Sequence, residues 1–265
     1  MALESFPPLA LLALRFSASG AILLAVAYVS GARMPKGREL WVSALTGLLG
    51  LGVGTGSLVF AELWIPSGLA AMIISFSPFW MVGVEALTGG EALHRPTVAG
   101  LLVGAVGAAL LVSGGDSQKT AGGAVAAGFV LLQIGCIAWA FASIYQRRQH
   151  GRTHPIVIGA IQQLAAGLAF APAALLIPEH PIVPSMRGVG ALCYLVVFGS
   201  IVGYSSYIYA LTRLRVAVVS VYSYVNPVVA VWLGWMVYRE PFGVREAIAM
   251  AVIFAGVALV KRYSR

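Results

Sequence analysis

The chain has 265 residues, 60% of them hydrophobic and only 10% charged, where a soluble domain carries roughly 45–50% apolar and about 25% charged residues. So few charges cannot cover the outside of a soluble protein. With a mean hydropathy of +0.90 they exclude a soluble globular enzyme, a disordered chain, a coiled coil and a DNA-binding domain. The net charge of +8 lies between long apolar runs, so it reads as membrane orientation rather than nucleic-acid binding.

A membrane-spanning helix needs about 20 mostly apolar residues. Nine such runs follow in chain order, at 7–29, 40–61, 67–87, 97–114, 122–145, 155–177, 188–211, 216–238 and 244–261. They are continuously apolar rather than alternating, which predicts helices and excludes a closed β-barrel. Arg15 interrupts the first run and no basic segment precedes it, so it is a poor signal peptide. Gly50/Gly54 and Gly100/Gly104 stand four apart, a spacing that lets helix backbones approach closely in lipid. Cys136 and Cys193 both fall inside apolar runs and predict no disulfide and no metal site.

The loops between the runs are short, so their Lys and Arg set the orientation. Numbered alternately, one side holds twelve and the other four. The first side, which includes the C-terminus, is expected to be cytoplasmic. The protein is thus expected to be multi-pass in the inner (plasma) membrane.

Shifted by 149 residues, the chain aligns with itself without a gap. Pro78 meets Pro227, Glu91 meets Glu240, Gly50 meets Gly199, Gly54 meets Gly203 and Gly107 meets Gly256. The halves are expected at 1–115 and 121–265. The run 122–145 has no partner within the chain, which makes the unit five helices, four of them present in the first copy. An odd unit inverts its second copy, and inverted repeats mark transporters that alternate access around a central site. The expected fold is an all-α integral membrane protein, with nine transmembrane helices from a ten-helix inverted-repeat (5+5) design. Two readings of the missing helix stay open: a ten-helix parent that starts earlier, or a nine-helix protein with an exposed groove.

Several local patterns add a resemblance. They are Ala13–Phe16 (ALRF), the Pro within 67–87 and 216–238, the GGE at 89–91 and YRE at 238–240, Gly100 with Gly107, Trp139–Ala140, and AELWIPSGLAA at 61–71. In order and spacing the chain resembles the drug/metabolite transporter superfamily, specifically its EamA family of ten-helix permeases, and within it the inner-membrane exporters. The resemblance implies alternating access and export of small metabolites, amino acids or drugs. It carries over no catalytic residues.

The candidate site residues come from polar groups in apolar runs. Arg15 sits near mid-span, where a guanidinium costs from about 2.5 to well over 10 kcal/mol. It reads either as an anion contact or as a structural tie to carbonyls or to Glu62. Glu62 and Glu85 read either as proton-coupling carboxylates or as solvated helix ends. Pro78 and Pro227 each free a carbonyl four residues back and follow a polar residue, Ser77 or Asn226. Such breaks are tolerated only where protein or a cavity satisfies them, so they read as a substrate cavity or hinge, or as packing kinks. Tyr204 and Tyr224 read as stacking groups or anchors, and Trp80, Trp139, Gln133 and Gln162 as lesser candidates.

These residues bear on three function classes. A secondary transporter is favoured, driven by a proton or substrate gradient because no Walker motif is present. Its expected partners are a small molecule, lipid and protons, with no nucleic acid, cofactor or metal. The alternative is a non-transporting membrane protein or an inactive truncated permease. An intramembrane enzyme is disfavoured, because all four His lie in loops and Asp116 is the only Asp.

Overall fold

A computed structural model of the protein describes residues 2–65, 67–90, 94–112, 122–149, 153–225, 228 and 244–263. Among the described residues there is helix, turn and coil and no strand. Among the described residues a single helical turn at Ala2–Ser5 precedes α1 (Pro8–Val29), α2 (Arg38–Ala61), α3 (Ser67–Ile74), α4 (Ser77–Leu87), α5 (Arg95–Val112), α6 (Gly122–Arg147), α7 (Pro155–Leu176), α8 (Met186–Arg213), α9 (Val216–Ser220) and α10 (Val244–Tyr263). Five of them, α1, α2, α6, α7 and α8, are long and apolar enough to cross a membrane. Shorter apolar helices occupy Arg95–Leu110, Val216–Val225 and Ala247–Val260. The fold is all-helical, as expected.

The helix ends follow from local chemistry. Pro8 and Pro155 open α1 and α7, where a missing N–H costs nothing and φ is already helical. The His154 ring accepts from the Ile156 N–H at 3.3 Å, and the Ser185 hydroxyl from the Gly188 N–H at 2.9 Å. After α1 the chain turns through Gly31 at φ 68°, a left-handed conformation that glycine adopts without penalty.

The run 67–87 is not one helix. Pro78 cannot donate to Ile74, and the chain breaks at Ser75–Phe76 before α4 restarts with Pro78 in its first turn. The Ser75 hydroxyl donates to the Ala71 carbonyl at 2.9 Å across the end of α3. Of the matching run 216–238, residues 226–227 and 229–243 lie outside the described residues, so Asn226 and Pro227 have no place in this description. Glu91 and Glu240 lie outside it too.

The chain forms two compact units. One comprises Met1–Val59 and Phe141–Arg213, the other Phe60–Ala140 and Leu214–Arg265. Each takes segments from both sequence halves. In the first, α1 packs on α7, and in the second, α5 packs on α10. Both pairings join helices 149 residues apart, and both are antiparallel. Gly20 faces Leu164 and Ala160, whereas Gly167 faces Ser17 and Phe16. In the second unit the contacts are reciprocal: Gly107 faces Ile253 and Ala249, and Gly256 faces Gly104 and Gly100. Shifting either set by 149 gives the other. Antiparallel packing of equivalent helices is what an inverted repeat produces.

The surface fits lipid rather than water. On α5, Leu101, Ala105 and Ala108 are buried while Leu102 and Val106 are more than half exposed. Their spacing gives one face to the core and one outward. Similar exposed apolar residues line the other helices, among them Phe129, Val130 and Ile134 on α6 and Phe198 and Val202 on α8. A soluble protein would not leave apolar patches this extensive in water.

Candidate functional site

The first unit has polar groups in its core. The Arg15 Nε–H, on α1, donates to the Ser200 hydroxyl on α8 at 2.8 Å. The guanidinium carbon lies 5.2 Å from the Phe16 ring centroid. One turn on, the Ser19 hydroxyl donates to its own helix at the Arg15 carbonyl (2.7 Å) and is hydrogen-bonded to the Gln163 Oε1 of α7. The Gln163 amide in turn donates to the Ser200 carbonyl at 3.4 Å. Ser19, Gln163 and Ser200 are all buried. Arg15 is half-buried.

Next to this chain on α7, Gln162 organises a second cluster. Its amide donates to the Thr46 hydroxyl at 2.9 Å and to the Gln146 Oε1 at 3.3 Å, while its carbonyl accepts from the Tyr204 hydroxyl at 2.9 Å. Thr46 also donates to Gln146 at 2.9 Å. The Tyr204 ring stacks on Tyr207 with centroids 6.1 Å apart, and the Tyr207 hydroxyl lies 2.5 Å from that of Ser143. Buried amides and hydroxyls in an apolar span require such partners.

Backbone irregularity coincides with these groups. Residues Leu48–Thr55 of α2 and Leu195–Tyr204 of α8 are π-helical. The two stretches are related by the 149-residue shift to within two residues. π-Helical turns are rare and concentrate at functional sites. Ser200 and Tyr204 both belong to the second stretch. Gly199 leaves room for the guanidinium: a Cβ there would lie 3.0 Å from the Arg15 Nη2. A Cβ at Gly47 would collide with the backbone of Gln162, so the glycine sets the spacing of α2 and α7.

The second unit holds the helix break. The Ser77 side chain is hydrogen-bonded to Cys136, and the Trp80 indole donates to the Gln133 Oε1 at 2.6 Å. These two bonds tie α4 to α6. Ser77 and Pro78 are buried, and Trp80 is partly exposed. Tyr224 is fully buried, packs its ring against Gly104 and donates its hydroxyl to the Leu101 carbonyl at 2.9 Å. The Glu85 side chain folds back against Gly90 in the turn after α4. Glu62 follows α2, and partial burial raises its carboxyl pKa above the ordinary value.

The expected site residues therefore divide. Arg15 and Tyr204 share the polar core of the first unit, while Ser77, Pro78, Trp80, Tyr224, Glu62 and Glu85 lie in the second. Sequence reasoning passed over Ser19, Thr46, Gln146, Gln163 and Ser200. The available signals were the doubled amide Gln162–Gln163 within an apolar span and the Arg15/Ser19 spacing of one turn, which places those two groups on one helix face. Among the described residues no group of three or more His, Cys, Asp or Glu could hold a metal ion.

Comparison with known proteins gives these arrangements a context. The EamA-like transporter family matches residues 1–113 and 126–262. The chain is 38% identical over 261 residues to the protein of Escherichia coli strain K12 named "Uncharacterized inner membrane transporter YedA", which covers 97% of this chain and 82% of that one. It is 26% identical over 256 residues to a "Probable terminal-alkyne amino-acid exporter" of Streptantibioticus cattleyicolor, covering 94% and 82%. A solved crystal structure superposes with a TM-score of 0.85 at 24% identity over all of this chain and 90% of that chain; at that identity the likeness speaks for the fold alone.

Proposed function

The chain belongs to the EamA-like transporter family and is a membrane transporter; from that premise we propose that it exports a small metabolite, amino acid or drug-like compound by alternating access. The observation that carries this reading is the polar core of the first unit. Arg15, Ser200, Gln163 and Tyr204 put hydrogen-bonding capacity inside spans that are mostly apolar. Irregular backbone at that depth is tolerated where it is buried in protein or lines a cavity, and two such stretches flank these groups. The break before Pro78, with Ser77 and Trp80, supplies a second interruption, and Asn226–Pro227 is its proposed counterpart. Broken helices around a midplane site are how many secondary transporters bind substrate. Tyr224, with its hydroxyl on a helix carbonyl, packs rather than binds in this reading.

Export is favoured by the name of the amino-acid exporter among its relatives. Glu62 is the proposed coupling carboxylate, because burial already favours its protonated form, and Glu85 the lesser one. The C-terminus is assigned to the cytoplasm from the loop charges. The test is flux of labelled metabolites, amino acids and drugs in proteoliposomes, with and without a proton gradient. Saturable flux of at least one compound is expected. Folded, reconstituted protein that moves none of the panel contradicts the reading.

A further inference from the structure

Resting on the transport reading above, we propose that Arg15 selects substrates carrying a single carboxylate, which its two terminal Nη groups grip from the inner side of the first unit.

The charge of Arg15 is permanent, because a guanidinium is not deprotonated in proteins. Within a span it needs compensation. Among the described residues no carboxylate lies within ion-pair distance of it, and its one side-chain hydrogen bond runs from Nε to Ser200. The Phe16 ring is the other contact of the cation. Nε thus serves as a brace, which leaves the Nη1/Nη2 fork for a ligand. That fork matches the two oxygens of a carboxylate in a bidentate pair.

The brace is itself held. Gln163 donates to the Ser200 carbonyl and accepts from Ser19, one turn from Arg15. Gly199 keeps the wall beside Nη2 clear, since a Cβ there would approach it to 3.0 Å. The internal repeat supplies a control within the same chain. The positions equivalent to Arg15 and Ser200 are Leu164 and Leu51. The fold is therefore built at the equivalent place without a charge or a hydroxyl, and packing alone does not call for Arg15.

Charge matching narrows the ligand. One guanidinium neutralises one carboxylate, whereas a phosphate monoester would bring close to two negative charges. The acidic residues of the first unit are Glu4, Glu39 and Glu179. Glu179 accepts from the Leu9 N–H near the start of α1 at 3.2 Å, and neither it nor Glu39 lies within ion-pair distance of the guanidinium. The carboxylate is the group that is read.

The test is flux and thermal unfolding of the reconstituted protein with matched pairs: N-acetyl amino acids and aromatic acids against their primary amides. Wild type is expected to favour the acid at least tenfold. Arg15→Gln should abolish that preference. Arg15→Lys, which keeps the charge without the fork, should raise the KM for the acid about tenfold. Ser200→Ala should raise it severalfold while the unfolding midpoint stays near wild type, which guards against an Arg15→Gln protein that simply fails to fold. Flux that treats acid and amide alike, or a preference that survives Arg15→Gln, overturns this inference and leaves transport standing. Absence of flux for every compound overturns the transport reading instead.

Discussion

The two units are built on the same pairing and filled differently. In each, a helix packs antiparallel on its equivalent 149 residues away. In the second unit that crossing is closed by Gly100, Gly104, Gly107 and Gly256 and surrounded by Val82, Leu101, Val221, Ile253 and Val260. In the first unit the same kind of crossing carries Arg15, Ser19, Gln162 and Gln163, whose equivalents in the other copy are Leu164, Leu168, Ala13 and Leu14. The crossing that the second unit closes with apolar side chains carries a hydrogen-bonded network in the first. Apolar close packing is enough to hold such a helix pair in lipid, so the network is in excess of what folding requires. That excess is where function is assigned.

The comparison breaks first if crossing and network prove equally sensitive in the same assay. The largest effect is expected for Gly107→Val. Even the first carbon of the new side chain would lie 2.7 Å from the Ile253 backbone nitrogen. A loss of about 3 kcal/mol or more is expected, read as a lower yield and a lower unfolding midpoint in detergent, with the surviving molecules transporting normally. Gln162→Met comes next. It conserves volume but strands Thr46, Gln146 and the Tyr204 hydroxyl. A stability loss of about 1–2 kcal/mol is expected, accompanied by at least a tenfold fall in flux per folded molecule. Tyr224→Phe sharpens the contrast from the other side. It removes a single bond to a helix carbonyl, so about 0.6 kcal/mol of stability goes and flux is retained.

The smallest effect concerns pH. Glu62 has a raised carboxyl pKa from burial, so the folded state holds its proton to higher pH than the unfolded chain does. Its contribution to stability is therefore full below the unfolded value and lost as pH rises through the folded one. Glu62→Gln should flatten that part of the stability profile and, if Glu62 couples transport to protons, remove the pH dependence of flux. A pH profile unchanged by the substitution removes Glu62 from the coupling role.

Much of this was legible in the sequence. The spans follow from apolar runs long enough to cross a bilayer. The repeat follows from matched Pro, Glu and Gly positions, and the antiparallel pairing follows from an odd number of helices in the unit. Arg15 stands out because a charge in such a run is costly. What was not legible has a physical reason. The polar core is assembled from residues on α1, α2, α6, α7 and α8, and it becomes a network only through packing. The division of 67–87 at Ser75–Phe76 falls two residues before the proline that causes it. The π-helical turns of α2 and α8 have no composition signal beyond Gly-rich apolar sequence, because one extra residue in a turn is decided by tertiary packing rather than by residue type.

The most direct test of the division of labour is the initial flux per folded molecule of Ser200→Ala and Gly107→Ala, measured side by side in proteoliposomes. The account predicts that Ser200→Ala loses most of its flux at a nearly unchanged unfolding midpoint. Gly107→Ala should unfold about 1–3 kcal/mol more easily yet keep the flux of its folded fraction. Flux lost in Gly107→Ala and kept in Ser200→Ala would contradict it.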